Sequence, residues 1–191
     1  MEKILLDTDI GGDIDDAVCL AYLLKEPACE LLGISTVCGE PEKRAAVADA
    51  LCKAAGKNIP IVAGLDTTLQ PVPVYPTPDG AVALKNWAHD PFQKGDASAF
   101  LYQKIKEHPK EVTFIAIGNL TNVATLFREH PDAPSLLKGL FVMNGYFGEK
   151  SFQLHTGTGI HGLIHWLPKL CLQHPFPRTK SFRLKLRICL R

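Results

Sequence analysis

Five aspartates, Asp7, Asp9, Asp13, Asp15 and Asp16, fall within ten residues of the stretch KILLDTDIGGDIDDAVCLAYLL, positions 3–24. Carboxylates at this density have few chemical uses. They accept protons as general bases, stabilise developing positive charge, or ligate a hard cation through oxygen. Two of them about 4 Å apart repel by roughly 4 kcal/mol at an effective dielectric near 20. A helix start relieves one or two through its free N–H groups and macrodipole. Five beside a core require that several face water or that a cation binds. An acidic turn with an N-cap accounts for a lone Asp pair, whereas D-x-D followed by a second D-D points to a hard divalent cation.

The cluster must be held by the elements around it. Ile4-Leu5-Leu6, punctuated by Gly11-Gly12, predicts a short central strand. Ala17–Leu24 is apolar or tyrosine throughout, which predicts a helix buried on most sides with Asp15 and Asp16 at its start. Leu31–Val37 is a second strand ending at Cys38-Gly39-Glu40, and Pro41 suits the first turn of a helix over Glu42–Ala55. Ile59–Ala63 makes a third strand, and the proline-rich stretch 64–96 reads as one long irregular loop, a functional flap or a disordered segment. A helix over Ala97–His108, a strand over Val112–Ile117, a helix to about Glu129 with Thr121 or Asn122 as its N-cap, and a strand over Leu140–Met143 complete the pattern. Strands alternating with helices predict an α/β fold with an open, doubly wound, mostly parallel sheet. Ligands of such sheets bind beyond the carboxyl ends of the strands, where Asp7, Asp9 and Glu40 fall.

Composition narrows the function classes. A length of 191 residues, 46% hydrophobic and 21% charged, fits one globular domain, and a net charge of +1 gives no argument for nucleic acid. No apolar run approaches membrane-spanning length, and no secretory leader is expected. Six cysteines without a C-x-x-C, among them Cys19 and Cys171, predict reduced thiols in a cytoplasmic protein. All 20 acidic residues lie in 1–150, which carries −6, while 151–191 has none and carries +7. That break predicts an α/β domain over 1–150 and an atypical basic tail over 151–191. His161 and His165 in the tail lack the Glu of H-E-x-x-H and stand beside Gly162 and Pro168, which argues against a zinc helix. Phe182, Leu184, Leu186, Ile188 and Leu190 alternate with mainly basic residues, an edge-strand pattern without an obvious partner.

Known metal motifs sort unequally. An EF-hand counted from Asp7 would put Gly11 and Val18 at ligand positions, and a P-loop would need Gly-Lys-Ser/Thr. A Mg²⁺-dependent haloacid-dehalogenase-like phosphatase would use Asp7 as nucleophile and Asp9 as acid, but Gly11 stands where it wants Thr or Val. DTDIGGDIDDAVCLAYLL instead resembles the N-terminal signature of the inosine–uridine-preferring nucleoside hydrolase family, with two extra residues before the final D-D. GISTVCGEPEKRA, AIGNLTNVA and LFVMNGYFG are similar, in order, to that family's second strand and turn, its G-x-L-T-N segment and its M-G/N-G turn. These matches span residues 3–148.

The resemblance implies one Ca²⁺ at the base of a ribose pocket and hydrolysis of the N-glycosidic bond of ribonucleosides by a calcium-activated water. Asp9 and Asp16 would be carboxylate ligands, Ile117 a ligand through its backbone carbonyl, and Asp9 the general base. Asp15 would bind a ribose hydroxyl, Met143 and Asn144 would line the pocket, and Asp7 would support the cluster from behind. Glu40 stands where many members have Asn. Asp13 has no carried-over role. The implied partner is a small-molecule nucleoside, and a homo-oligomer stays open. The family's later ribose-binding segment and its last metal aspartate find no counterpart after Gly148. The tail is therefore expected to be foreign sequence on a truncated domain, with turnover by this chain reduced by several powers of ten. The alternatives are a non-catalytic remnant that binds nucleoside or a protein, and the phosphatase.

Overall fold

The computed structural model describes residues 1–67 and 77–143. The elements run β1 (Glu2–Thr8), α1 (Asp15–Lys25), β2 (Cys29–Thr36), α2 (Pro41–Ala54), β3 (Ile61–Ala63), a 3₁₀ helix (Asp79–Asn86), α3 (Ala97–Glu107), β4 (Val112–Ala116), α4 (Thr121–Glu129), the single turn α5 (Ala133–Leu136) and β5 (Gly139–Val142). The sheet order is β3-β2-β1-β4-β5, and every pairing among them is parallel.

β1 is the middle strand, and its apolar run follows from burial on both faces. Ile4 and Leu6 pack with Leu20, Leu24 and Ile34 on the side of α1 and α2. Leu5 packs with Leu101, Phe114 and Leu126 on the side of α3 and α4. The chain winds outward through β2 and β3, then returns to the far side of β1 to lay down β4 and β5. The direction of winding therefore reverses between β1 and β4, and the connections leaving their carboxyl ends diverge there, opening the crevice in which such sheets bind ligands.

Several sequence expectations change. α1 is buried along one face only: Asp16, Leu20, Leu23 and Leu24 are buried, while Val18 and Tyr22 are 60% and 63% exposed. A helix in a single layer over a sheet has one side to hide, however apolar the other is. The stretch 64–96 is not wholly irregular, because its described part holds the 3₁₀ helix. That segment is fastened to α2, where Lys53 pairs with Asp49 at 2.9 Å and Asp90 at 2.8 Å, and the Asp90 N–H donates to Asp49 Oδ2 at 2.6 Å. Thr121 and Asn122 are the first residues of α4 rather than its cap; Leu120 holds the cap position without a side-chain cap bond. The Asn122 amide is used elsewhere. Asn144 and the basic tail lie outside the described residues.

Candidate functional site

Asp7 is the penultimate residue of β1, in register with Ser35 on one side and Ala116 on the other. It is 0% exposed. Ser35 Oγ donates to its Oδ1 at 2.5 Å and Asn122 Nδ2 donates to the same oxygen at 2.8 Å. Its Oδ2 is buried with no hydrogen-bond partner among the described residues. Burial pushes the carboxyl up to about 7, against the pull of the Ser35 and Asn122 bonds and helped by the charges of Asp9 and Asp16.

Asp16, buried in the first turn of α1, accepts a hydrogen bond from Thr8 Oγ1, which itself accepts from the Ile10 N–H at 3.1 Å. Desolvation raises it to about 7 as well; the Thr8 bond opposes that rise, and Asp9 and Asp15 add to it. Asp9 is half-buried and raised, first by desolvation, while the Arg44 guanidinium pulls the other way. The mutual influence of these groups shows that the fold gathers Asp7, Asp9, Asp13, Asp15 and Asp16 into one field.

The other sequence candidates arrive by different elements. Ile117 directly follows β4, and its N–H donates to the Asp7 carbonyl at 2.9 Å. The Met143 N–H donates to the Ala116 carbonyl at 2.8 Å, which sets the end of β5 beside Ile117. Glu40 precedes α2 and pairs with Lys43 at 2.5 Å, which together with a Thr77 hydrogen bond holds its carboxyl below the ordinary range. Glu40 is thus an ionised group paired with Lys43.

Four side chains and one glycine that sequence reasoning did not place in the site complete it. Thr8 and Ser35 are the donors just described. Asn122 joins three elements, donating to Asp7 and to the Thr36 carbonyl at 3.0 Å and accepting from the Leu65 N–H at 3.1 Å. Arg44, 1% exposed, donates from Nε to the Cys38 carbonyl at 2.7 Å and from Nη1 to the carbonyls of Asp9 and Ile10. A legible signal was present for Arg44, which stands at helical spacing with the buried Ala48 and Cys52. A Cβ on Gly118 would come within 2.6 Å of the Asp9 nitrogen, so only glycine lets the turn after β4 lie this close to the acidic turn.

The donor set suits a hard cation. Buried carboxyls raised by desolvation and further by one another's charge, one with a bare oxygen, gain most from a cation held by oxygen. Among the described residues no three His, Cys, Asp or Glu side chains converge as a metal-ligand group. Asp9 and Asp16, which the family resemblance names as the carboxylate ligands, belong to this field.

The sequence model of the inosine-uridine preferring nucleoside hydrolases matches residues 4–159. The chain belongs to that family. The match runs past Gly148, where the motif resemblance ends. Uridine nucleosidase 1 of Arabidopsis thaliana is 29% identical over 163 residues, covering 76% of this chain and 46% of the relative. A purine-preferring ribonucleoside hydrolase from Gardnerella vaginalis superposes with a TM-score of 0.67 at 22% identity, covering 76% of this chain and 49% of that one. A plant nucleoside hydrolase superposes with a TM-score of 0.64 at 25% identity, covering 76% and 48%. The chain thus spans about half the length of the curated relatives it matches, and it shares the parallel-sheet nucleoside hydrolase fold. Neither the phosphatase nor the non-catalytic alternative is better supported by these likenesses.

Proposed function

We propose that this nucleoside hydrolase domain cleaves the N-glycosidic bond of ribonucleosides, giving ribose and free base, with Ca²⁺ held by Asp9, Asp16 and the Ile117 carbonyl. The observation that carries the reading is the trio Asp7, Asp9 and Asp16, desolvated together where the winding of the sheet reverses, in a chain of this family. Carboxylates packed this way gain little stability, because each loses hydration, and the Arg44 guanidinium offsets only part of that for Asp9 and Asp16.

Bound Ca²⁺ supplies the charge that lets these carboxylates stay ionised near neutral pH and makes a nearby water easier to deprotonate. Asp9, half-buried and carrying a raised pKa, takes the proton from the attacking water. Asp15, at the start of α1, accepts a hydrogen bond from a ribose hydroxyl, and Met143 with Asn144 lines the sugar. As the bond to the base lengthens, positive charge grows on the ribose, and the fixed carboxylates around it favour that oxocarbenium-like state over the ground state. Asp7 holds its neighbours in place from behind and does not touch the sugar. Glu40, ionised and tied to Lys43, puts negative charge at the pocket rim where a neutral amide is common in relatives.

The purine-preferring and uridine-named relatives differ in base, so base preference is open to direct assay. The test is reducing-sugar release from inosine and uridine by purified protein at high concentration, with Ca²⁺ and with chelator. Slow, chelator-sensitive release that Asp9→Ala abolishes is expected. A folded protein that binds Ca²⁺ yet releases no ribose from either nucleoside would favour the non-catalytic reading.

A further inference from the structure

We propose that Arg44 is the positioning residue of this site: its guanidinium clamps the acidic turn against the turn after β2 and so fixes where the Asp9 carboxylate stands. The assignment deepens the reading of a Ca²⁺-dependent ribose site and rests on it.

A guanidinium buried to 1% exposure is costly unless its donors are met. Here Nε and Nη1 are met by main-chain carbonyls on two separate loops, those of Asp9 and Ile10 on one and Cys38 on the other. The Asp9 and Ile10 carbonyls are adjacent, the Cys38 carbonyl lies far from them in sequence, and the two loops also carry Asp9 and Glu40. The planar fork matches such an arrangement because its donors point in fixed directions, which a lysine ammonium cannot reproduce.

The second loop shows what the clamp holds. Cys38 sits at φ 74° and Gly39 at φ 60°, so the chain turns through two consecutive left-handed residues. For cysteine this conformation is strained and persists only when its surroundings fix it. Its N–H donates to the Leu65 carbonyl at 2.8 Å while Arg44 takes its own carbonyl. The acidic turn is pinned likewise from several directions. The Ile10 N–H donates to Thr8 Oγ1, and the Gly80 N–H donates to the Gly11 carbonyl at 2.8 Å. Arg44 contributes the tie that spans both loops.

The test uses the whole chain and three variants. Arg44→Lys keeps the charge and the aliphatic stem but loses the fork. Hydrogen exchange of the metal-free protein reads the loops directly: amides in 8–12 and 37–41 should exchange at least tenfold faster in R44K, with β4 and α4 unchanged. Ca²⁺ affinity, from calorimetry, should fall at least tenfold. Arg44→Met should lose at least as much. Cys38→Gly relaxes the left-handed residue and supplies a background in which R44K folds fully. In the C38G/R44K double variant the urea midpoint should recover while Ca²⁺ affinity stays weak. Wild-type exchange and Ca²⁺ affinity in R44K, or recovery of both properties in the double variant, would overturn the assignment. A wild-type chain indifferent to Ca²⁺ would overturn the metal reading instead, and the exchange of the metal-free proteins would then decide Arg44 alone.

Discussion

The two ends of β1 treat charge in opposite ways. At the amino end, Glu2 meets Lys138 at 2.5 Å and Lys3 meets Glu111 at 2.6 Å, with these groups largely in solvent. Their pKa shifts favour the charged forms: Glu2 is lowered by Lys138, and Lys3 is raised by its bond to Glu111. At the carboxyl end, five residues on, Asp7 is buried without a cationic partner among the described residues, and its pKa moves the opposite way, up to about 7. The amino end is an ordinary solvated surface, where such pairs stabilise little. The carboxyl end holds charge at a cost that folding alone does not repay. One strand with two such ends separates structural electrostatics from functional electrostatics within a single element.

The largest expected contrast lies in turnover. Asp9→Ala should lower ribose release by at least ~100-fold, the scale of a missing general base, and Lys3→Met should leave it unchanged. Rates in a reducing-sugar assay check both. Equal losses in the two variants would erase the distinction between the ends.

Next comes stability. Asn122→Ala leaves the Leu65 N–H unmet, while the Thr36 carbonyl keeps the Gly64 N–H and Asp7 keeps the Ser35 donor. One buried group left unmet costs ~1–3 kcal/mol, so urea denaturation should show a loss on that scale. A loss below ~1 kcal/mol would mean that water replaces the amide.

The contribution of Asp7 and Asp16 to pH dependence has a definite sign. Both folded-state pKa values lie near 7, above the ordinary 3.8, so the folded state holds these protons more tightly than the unfolded chain. Their stabilising contribution in metal-free protein is full below about pH 4 and is lost as pH rises toward 7, at up to ~1.4 kcal/mol per pH unit for each group. Bound Ca²⁺ favours the ionised forms and should flatten that slope. Denaturation midpoints at pH 5, 6 and 7.5, with and without Ca²⁺, read the effect; a metal-free protein that gains stability over this range would contradict it. The smallest effect belongs to the amino end, where Glu111→Gln should leave the urea midpoint unchanged within error.

What the sequence disclosed follows the same divide. The strand and helix order was legible because β1 is buried on both faces and reads as an unbroken apolar run, while α2 announces itself with Pro41. The aspartates were legible because they are local, five in ten residues. Their supports were not. Ser35 reaches Asp7 only through the parallel register of β1 and β2, and Asn122 reaches it across 115 positions. A single sequence records no register between distant strands, so a buried Ser reads as an ordinary strand residue. Asn122 was taken for a helix cap because its local context allowed that cheaper explanation. The exposed side of α1 escaped for the converse reason: Val18 and Tyr22 are apolar, and pattern alone cannot say that no layer covers them among the described residues.

The central claim is that the carboxyl end of β1 is built around a cation. It is tested most directly by the Ca²⁺ dependence of folding stability at pH 7.5 in wild type and Asp16→Asn. A ligand that binds only the folded state at 100 times its Kd adds ~2.7 kcal/mol. Wild type should gain stability on this scale with saturating Ca²⁺, and Asp16→Asn should lose most of that gain. A wild-type protein whose stability ignores Ca²⁺, or a variant that gains as much as wild type, would contradict the account.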